Sequence, residues 1–249
     1  MLAILGGSGL AQLPGLEGVR RETMRTPYGD PSGPLVRGKI GGREVVFLAR
    51  HGEGHTLPPH QINYRANIQA LKDAGVKDII SIATVGGIRR EFGPGALVVP
   101  DQIIDYTWGR VATLFEGPGA KVTHIDFTEP YSAALRKSIL AAAKACGEAI
   151  ADGGCYGATQ GPRLETAAEI ARMERDGADL VGMTAMPEAA LAREAGLAYA
   201  AIAVVANHAA GKGDSAHAIS LTAIEAVVQQ AMQRVRRILE QLAAASYPR

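Results

Sequence analysis

The chain has almost no cysteine and almost no net charge, and each shortage removes a class of protein. Two cysteines in 249 residues, Cys146 and Cys155, do not make a disulfide framework; buried, reduced thiols in a cytoplasmic protein are the simpler expectation. A formal net charge of +1 provides no field that would gather nucleic acid or an anionic membrane, so any anion must be held by a local site. No apolar run reaches the roughly 18–20 residues of a membrane helix. The apolar start, Met1 to Leu10, has no basic residue and is broken by Gly6, Gly7 and Gly9, which fits a strand entering a loop and not a targeting peptide. A metal site is also disfavoured. His51 and His55 lie four apart, but Gly52, Gly54 and Pro58-Pro59 deny that stretch the helix that would put both imidazoles on one face. No G-x-S-x-G elbow occurs, so a serine hydrolase would lack its nucleophile.

Glycine, at 30 residues, and apolar side chains, at 47%, are what the chain has in quantity. That apolar content is enough for a sizeable core and argues against disorder. Leu2–Leu5, Glu44–Ala49, Asp78–Val85, Ala96–Tyr106, Cys155–Thr159, Asp179–Met183 and Ala198–Ala206 read as strands, most of them continuous apolar runs. Gln61–Ala74, Tyr131–Cys146, Thr166–Asp176, Pro187–Ala195 and Ile219–Ala244 read as helices, several closed by a following glycine. Pro14–Pro34 reads as loops with at most one strand. The alternation predicts an α/β fold with a largely parallel, covered sheet. No repeat or linker divides residues 1–249, which are read as one domain.

In such a fold the chemistry belongs at the carboxyl ends of strands. Four strand ends carry unusual residues. Gly6-Gly7-Ser8-Gly9 offers free amides and a hydroxyl; it lacks the Lys-Ser/Thr of a Walker loop, and Gln12 stands where a dinucleotide fingerprint needs a third Gly or Ala. It serves equally as a structural turn. Arg50-His51 brings a guanidinium fork suited to phosphate, unless Arg50 is an ordinary surface residue. Thr84-Val85-Gly86-Gly87 and Gly182-Met183-Thr184 add amides and two hydroxyls. Together these loops could surround one dianion.

The longer runs GGSGL (6–10), TPYG (26–29), LARHGEGH (48–55), INYRANIQALKDAGV (62–76), VGGI (85–88), DQIIDYT (101–107), THIDFTEPY (123–131), QGPRLET (160–166) and VGMTAMPEAALAREAGLAYA (181–200) resemble the trimeric purine nucleoside phosphorylases, within them the methylthioadenosine and methylthioinosine phosphorylases. The resemblance covers most of the chain in order. It implies a three-layer α/β/α fold with a central mixed, partly barrel-like sheet, and a homotrimer with active sites near subunit interfaces. It implies that Ser8, Arg50, His51, Thr84 and Thr184 hold phosphate and that Met183 packs beside the ribose. His124 resembles a residue that neighbouring subunits contribute to the 5′ pocket. Ala83 stands where relatives tend to carry Thr or Asn, so one polar contact is missing.

Phosphorolysis of an N-glycosidic bond needs a fixed phosphate, a held ribose and a donor to the departing purine; no metal or organic cofactor is required, and inorganic phosphate is a co-substrate. Asn207 and Glu165 are the expected base-handling pair. Glu165 alternatively serves the dipole at the start of the following helix. A Glu165 carboxylate accepts from the N1–H of a 6-oxopurine and repels the bare N1 of adenine. Adenine-type relatives carry a pair of aspartates where this chain has Asn207 and Ala209, so 5′-methylthioinosine is the expected substrate. Methylthioadenosine, and inosine or guanosine, are the alternatives. Leu164 replaces a stacking aromatic of relatives. Ile219, Leu221 and Ile224 either face a methylthio group or form the ordinary buried stripe of the last helix. A non-catalytic nucleoside-binding protein, a hydrolase using water and an NAD-type oxidoreductase are the readings from other classes.

Overall fold

In a computed structural model of the chain, the residues described are 1–7, 10, 13 and 15–245. The elements follow in the order β1 (Leu2–Gly6), β2 (Glu17–Glu22), β3 (Leu35–Ile40), β4 (Arg43–Ala49), α1 (Tyr64–Asp73), β5 (Asp78–Gly87), β6 (Leu97–Val99), β7 (Gln102–Asp105), α2 (Ala133–Ala145), β8 (Ala151–Asp152), β9 (Cys155–Ala158), α3 (Ala167–Asp176), β10 (Leu180–Gly182), α4 (Ala185–Glu194), β11 (Ala198–His208) and α5 (Leu221–Ala244). Every strand and helix expected from the sequence is present, with three differences. The long strand over 96–106 is split into β6 and β7, because Pro100 cannot donate to a ladder and Asp101 leaves the sheet to accept from the Gly154 amide at 2.9 Å. β3 and the two-residue β8 are not among the expected strands; β3 pairs antiparallel with β4 and with β2, the exposed, charged strand for which the reading of 14–34 left room. The last helix starts at Leu221, capped by the Ser220 hydroxyl, so Ile219 stands just outside it.

The sheet is mixed. β4, β1, β5 and β11 run parallel, and β5 meets β10 antiparallel at Gly86 and Gly87. One path runs β2-β3-β4-β1-β5-β10-β9-β7, and a second arm leaves β5 through β11, β6 and β8. The sheet therefore branches at its longest central strand. Among the described residues no pairing closes the ring, so the barrel-like character is confined to this branching.

Period-two alternation sends the two faces of each central strand into different cores. Leu2, Ile4, Val45, Phe47, Ile80, Ile82, Ile202 and Val204 face α2 and α5, which cover them with Leu135, Ile139, Val235 and Ile238. Ala3, Leu5, Val46, Leu48 and Ile79 face α1 and α4, which supply Ile68, Leu71, Ala189 and Leu191. Helices on both faces explain why these strands read as unbroken apolar runs. Among the described residues no helix is long and apolar enough to cross a membrane. The two cysteines are unpaired and half-buried, not deeply buried as expected. Burial, then Asp179 and Asp101 nearby, pushes the Cys155 thiol up to about 11, which leaves it inert as a nucleophile.

One buried ion pair pins the layers together. Arg50, directly after β4, is fully buried and donates through Nε to Glu188 Oε2 on α4 at 2.5 Å. One terminal nitrogen reaches Glu188 Oε1 at 2.9 Å and the Ser81 hydroxyl at 2.6 Å; the other reaches the Ile82 carbonyl at 3.1 Å. Tyr199 on β11 donates its hydroxyl to Glu188 Oε1 at 2.7 Å. Burial alone would lower the Arg50 pKa, but the Glu188 carboxylate outweighs that and the pKa ends raised. Removing one partner of such a pair strands a buried charge, at a cost of about 3–5 kcal/mol. Glu188→Gln is therefore expected to lower Tm by roughly 10 °C, at about 2–4 °C per kcal/mol for a chain of this size. A thermal melt checks this; a shift under about 3 °C contradicts it.

Candidate active site

The carboxyl ends of β1, β4, β5 and β11 meet along one edge of the sheet, and β10 brings its own end alongside them. They enclose a cavity of about 380 Å³, the size of a small-molecule site. Gly7, Arg50, His51, Thr84, Met183, Thr184, Leu164, Glu165, Asn207, Ala209, Ile219, Leu221 and Ile224 all border it. The expected residues, drawn from positions 7 to 224, are thus brought to one place with two exceptions. Ser8 lies outside the described residues. His124 is exposed in the stretch between β7 and α2, away from this chain's own cavity.

Each residue has a local reason for its position. The β11 pairing with β5 shifts between Val205 and Asn207, so Ala206 is an extra residue. A bulge there re-aims the strand end, and Asn207 faces the cavity with Nδ2 donating to the His208 carbonyl at 2.6 Å. One amide hydrogen and Oδ1 remain for a ligand. Ala209 follows, buried, its amide bonded to the Gly87 carbonyl at 2.7 Å. Gly182 is required where β10 ends, because a Cβ there would lie 2.0 Å from the Tyr156 hydroxyl. This close packing lets the chain turn sharply from β10 into Met183 and the half-helical start of α4, with Thr184 buried at the wall.

Glu165 is released from the duty that a helix start would give it. Thr166 is the N-cap of α3, its hydroxyl accepting from the Glu169 amide at 3.1 Å while Glu169 accepts from the Thr166 amide at 2.7 Å. This capping box satisfies the helix terminus without Glu165. Glu165 is instead fixed by the buried Thr159, whose hydroxyl donates to Oε1 at 2.7 Å. The second carboxylate oxygen is left as an acceptor beside the cavity.

The arginine fork is oriented differently from the sequence expectation. It grips Glu188 and strand carbonyls, so Arg50 is neither an exposed residue nor a bidentate clamp on the cavity. Among the described residues its donors go to Glu188, Ser81 and the carbonyls of Ile82 and Leu5. Thr84 and Thr184 border the cavity at the same end. Leu164 and Leu221 stand exposed at the rim, 40% and 67% accessible, which places apolar surface at the mouth and argues against the fully buried stripe for Leu221.

Sequence reasoning missed Glu188, Thr159 and Arg110. Glu188 had a readable signal, an acid on the otherwise apolar face of α4, which needs a buried partner. Thr159 and Arg110 gave no signal, since both act through contacts 6 to 76 positions away.

His51 Nδ1 lies 2.8 Å from the Leu57 carbonyl oxygen, which places the proton on Nδ1 and leaves Nε2 bare in the neutral ring. Burial, then the Arg50 charge, lowers its pKa from 6.5 to about 4. The ring is neutral when folded, while the unfolded chain takes up a proton below 6.5. His51 therefore leaves stability untouched above pH 6.5 and subtracts from it progressively down to about pH 4, by about 3 kcal/mol in all. His51→Asn keeps a donor toward Leu57 and should flatten that part of the profile. Urea unfolding of both proteins at pH 7 and pH 4.5 checks this; parallel losses contradict it.

Comparison with known proteins agrees with this geometry. Residues 1–244 match the Phosphorylase superfamily. The chain is 55% identical over 242 residues to a probable S-methyl-5′-thioinosine phosphorylase of Xanthomonas campestris, covering 97% of this chain and 96% of that protein. It is 48% identical over 215 residues to a 6-oxopurine nucleoside phosphorylase of Pyrococcus furiosus, covering 84% and 80%. Among solved structures, a methylthioadenosine phosphorylase from Schistosoma mansoni in complex with adenine superposes with a TM-score of 0.93 at 32% identity, covering 98% of this chain and 90% of that one. The chain belongs to the phosphorylase superfamily.

Proposed function

We propose that the protein cleaves 5′-methylthioinosine with inorganic phosphate, giving hypoxanthine and 5-methylthioribose 1-phosphate. One observation carries this reading. A carboxylate fixed by Thr159 and a side-chain amide aimed by a strand bulge border the same cavity as the loops that can hold an anion. Phosphate oxygen attacks C1′ as the C1′–N9 bond breaks, and the bonding pair leaves with the purine. Positive charge develops on the sugar between the two, next to the phosphate. Asn207 donates its free amide hydrogen to the purine as charge arrives there. Glu165 accepts from N1–H, the one ring N–H of a 6-oxopurine nucleoside. No cofactor is needed, because phosphate is both nucleophile and electrostatic partner.

The base preference follows from the acceptors. Oε1 of Glu165 already accepts from Thr159, so the group turned toward the base is an acceptor that matches N1–H of hypoxanthine and opposes the bare N1 of adenine. Ala209 puts a methyl group where an acid would be needed to receive the adenine amino group. Leaving one buried polar group unmatched costs about 1–3 kcal/mol, roughly ten- to hundredfold in kcat/KM. Ile219, Leu221 and Ile224 border the cavity; in this reading they face the 5′ end, where they suit a methylthio group better than a hydroxyl. The Xanthomonas campestris relative, a probable S-methyl-5′-thioinosine phosphorylase, supports the same reading.

Base release measured with methylthioinosine, methylthioadenosine and inosine, each with and without phosphate, tests all parts. Release is expected only with phosphate, and kcat/KM should be highest for methylthioinosine by tenfold or more. Release without phosphate would mark a hydrolase, none at all a binding protein, faster adenine release would reverse the base assignment, and equal values for inosine would remove the methylthio claim. The apolar rim at Leu164 and Leu221 further supports a homotrimer in which a neighbour, through His124, completes the 5′ pocket. Sedimentation should give three times the chain mass; a monomer that turns over at full rate would rule this out.

A further inference from the structure

We infer that Arg110, which borders no part of the cavity, is the positioning residue that fixes the distance between its base-holding and sugar-holding walls. The inference rests on the proposed phosphorolysis for its kinetic consequence, and on geometry alone for its structural one.

β9 and β10 run in parallel and their ladder ends at Ala158 and Gly182. Beyond that point the first chain goes on to Thr159 and Glu165, and the second to Met183 and Thr184. Only one backbone bond, from the Thr159 amide to the Gly182 carbonyl at 2.7 Å, joins them after the ladder. Two chains diverging from a sheet edge hold no fixed separation by themselves.

Arg110 supplies the missing link. It lies in the stretch 106–132, which has no regular secondary structure, and its guanidinium enters between the two diverging chains. One terminal nitrogen donates to the carbonyls of Met183 at 2.8 Å and Met186 at 2.6 Å. The other donates to the carbonyls of Thr159 at 3.1 Å and Gln160 at 2.8 Å. Nε donates to the Gln160 side-chain oxygen at 3.1 Å. All five donors of the fork are thus used, and the plane also lies 5.6 Å from the centre of the Tyr64 ring. No carboxylate is among the hydrogen-bonded acceptors. A full positive charge is directed at four main-chain carbonyls, two from each wall, which would otherwise point their negative ends together. The chain Arg110–Thr159–Glu165 then links the guanidinium to the base-binding carboxylate, and Arg110–Met183 links it to the sugar side. Only a planar fork spans both sides; a lysine ammonium is a single point with three donors.

Displacements of about 1 Å in reacting groups lower turnover on the order of 10²-fold. Arg110→Ala and Arg110→Lys are therefore expected to lower kcat by roughly that factor, with the KM for phosphate changed less than threefold. Guanidinium chloride at millimolar concentration should restore at least tenfold in the alanine variant and nothing in the wild type. Arg193→Ala is the control. Arg193 fastens the far end of the same stretch through the Asp126 carbonyl at 3.0 Å and the Glu129 carbonyl, yet touches neither wall, so its kcat should stay at the wild-type value. Amide hydrogen exchange supplies a readout independent of turnover. Exchange at 159–166 and at 183–187 should rise together in both Arg110 variants and stay unchanged in Arg193→Ala. Should the alanine variant not fold, the lysine variant decides alone. Wild-type kcat with unaltered exchange in Arg110→Lys, or equal losses in the Arg110 and Arg193 variants, overturns the inference. An inactive wild type refutes the phosphorolysis reading only, and exchange then decides on Arg110.

Discussion

The contact between Arg50 and Glu188 is the constraint from which the site follows. It joins residues 138 positions apart, in a region with no access to solvent. A charge in such a place is tolerated only with a partner and with its remaining donors matched. The pair is therefore surrounded by Ser81, the Ile82 carbonyl and the Tyr199 hydroxyl, drawn from β5 and β11. The consequence is geometric. His51 must follow Arg50 out of the end of β4, and Thr184 lies four residues before Glu188, across the non-helical Met186. Fixing the ion pair fixes both cavity walls that carry them.

The cavity itself is short of formal positive charge. Arg50 is compensated by Glu188 and His51 is neutral when folded, its pKa lowered to about 4 by burial and then by Arg50. An oxyanion would be met mainly by amides and hydroxyls. Neutral donors hold an anion without cancelling its charge, which suits a reaction in which that charge stabilises the developing sugar cation. At the start of α3 the two acids are divided likewise: Glu169 satisfies the helix terminus, and Glu165 accepts from Thr159 beside the cavity.

Much of this was legible in the sequence, for identifiable reasons. Strands buried on both faces leave unbroken apolar runs, and glycines mark their ends, so β1, β4, β5 and β11 and the loops after them could be located. Glu165 lies in the run QGPRLET, and Asn207 directly follows the apolar run Ala198–Ala206, so both stand next to readable patterns. Other features were hidden. β2 is an exposed edge strand of charged residues, with none of the apolar pattern on which strand reading depends. The split between β6 and β7 turns on Asp101 finding the Gly154 amide, a partner 53 positions away. Arg50 was correctly placed at the site, but its orientation depends on an acid in a helix near the other end of the chain.

The sequence by itself determined the fold class, the edge of the sheet where the cavity opens and most of the residues that meet there. These properties depend on local hydrophobic period and on strand ends, which are encoded over a few neighbouring positions. Only the tertiary structure decided what each polar group faces: the Arg50 fork toward Glu188, Glu165 toward Thr159, Asn207 through a bulge against β5, and Arg110 between two loops. Each of these depends on a donor and an acceptor brought within about 3 Å from distant parts of the chain. No local pattern encodes such a distance; it exists only once the sheet has been assembled.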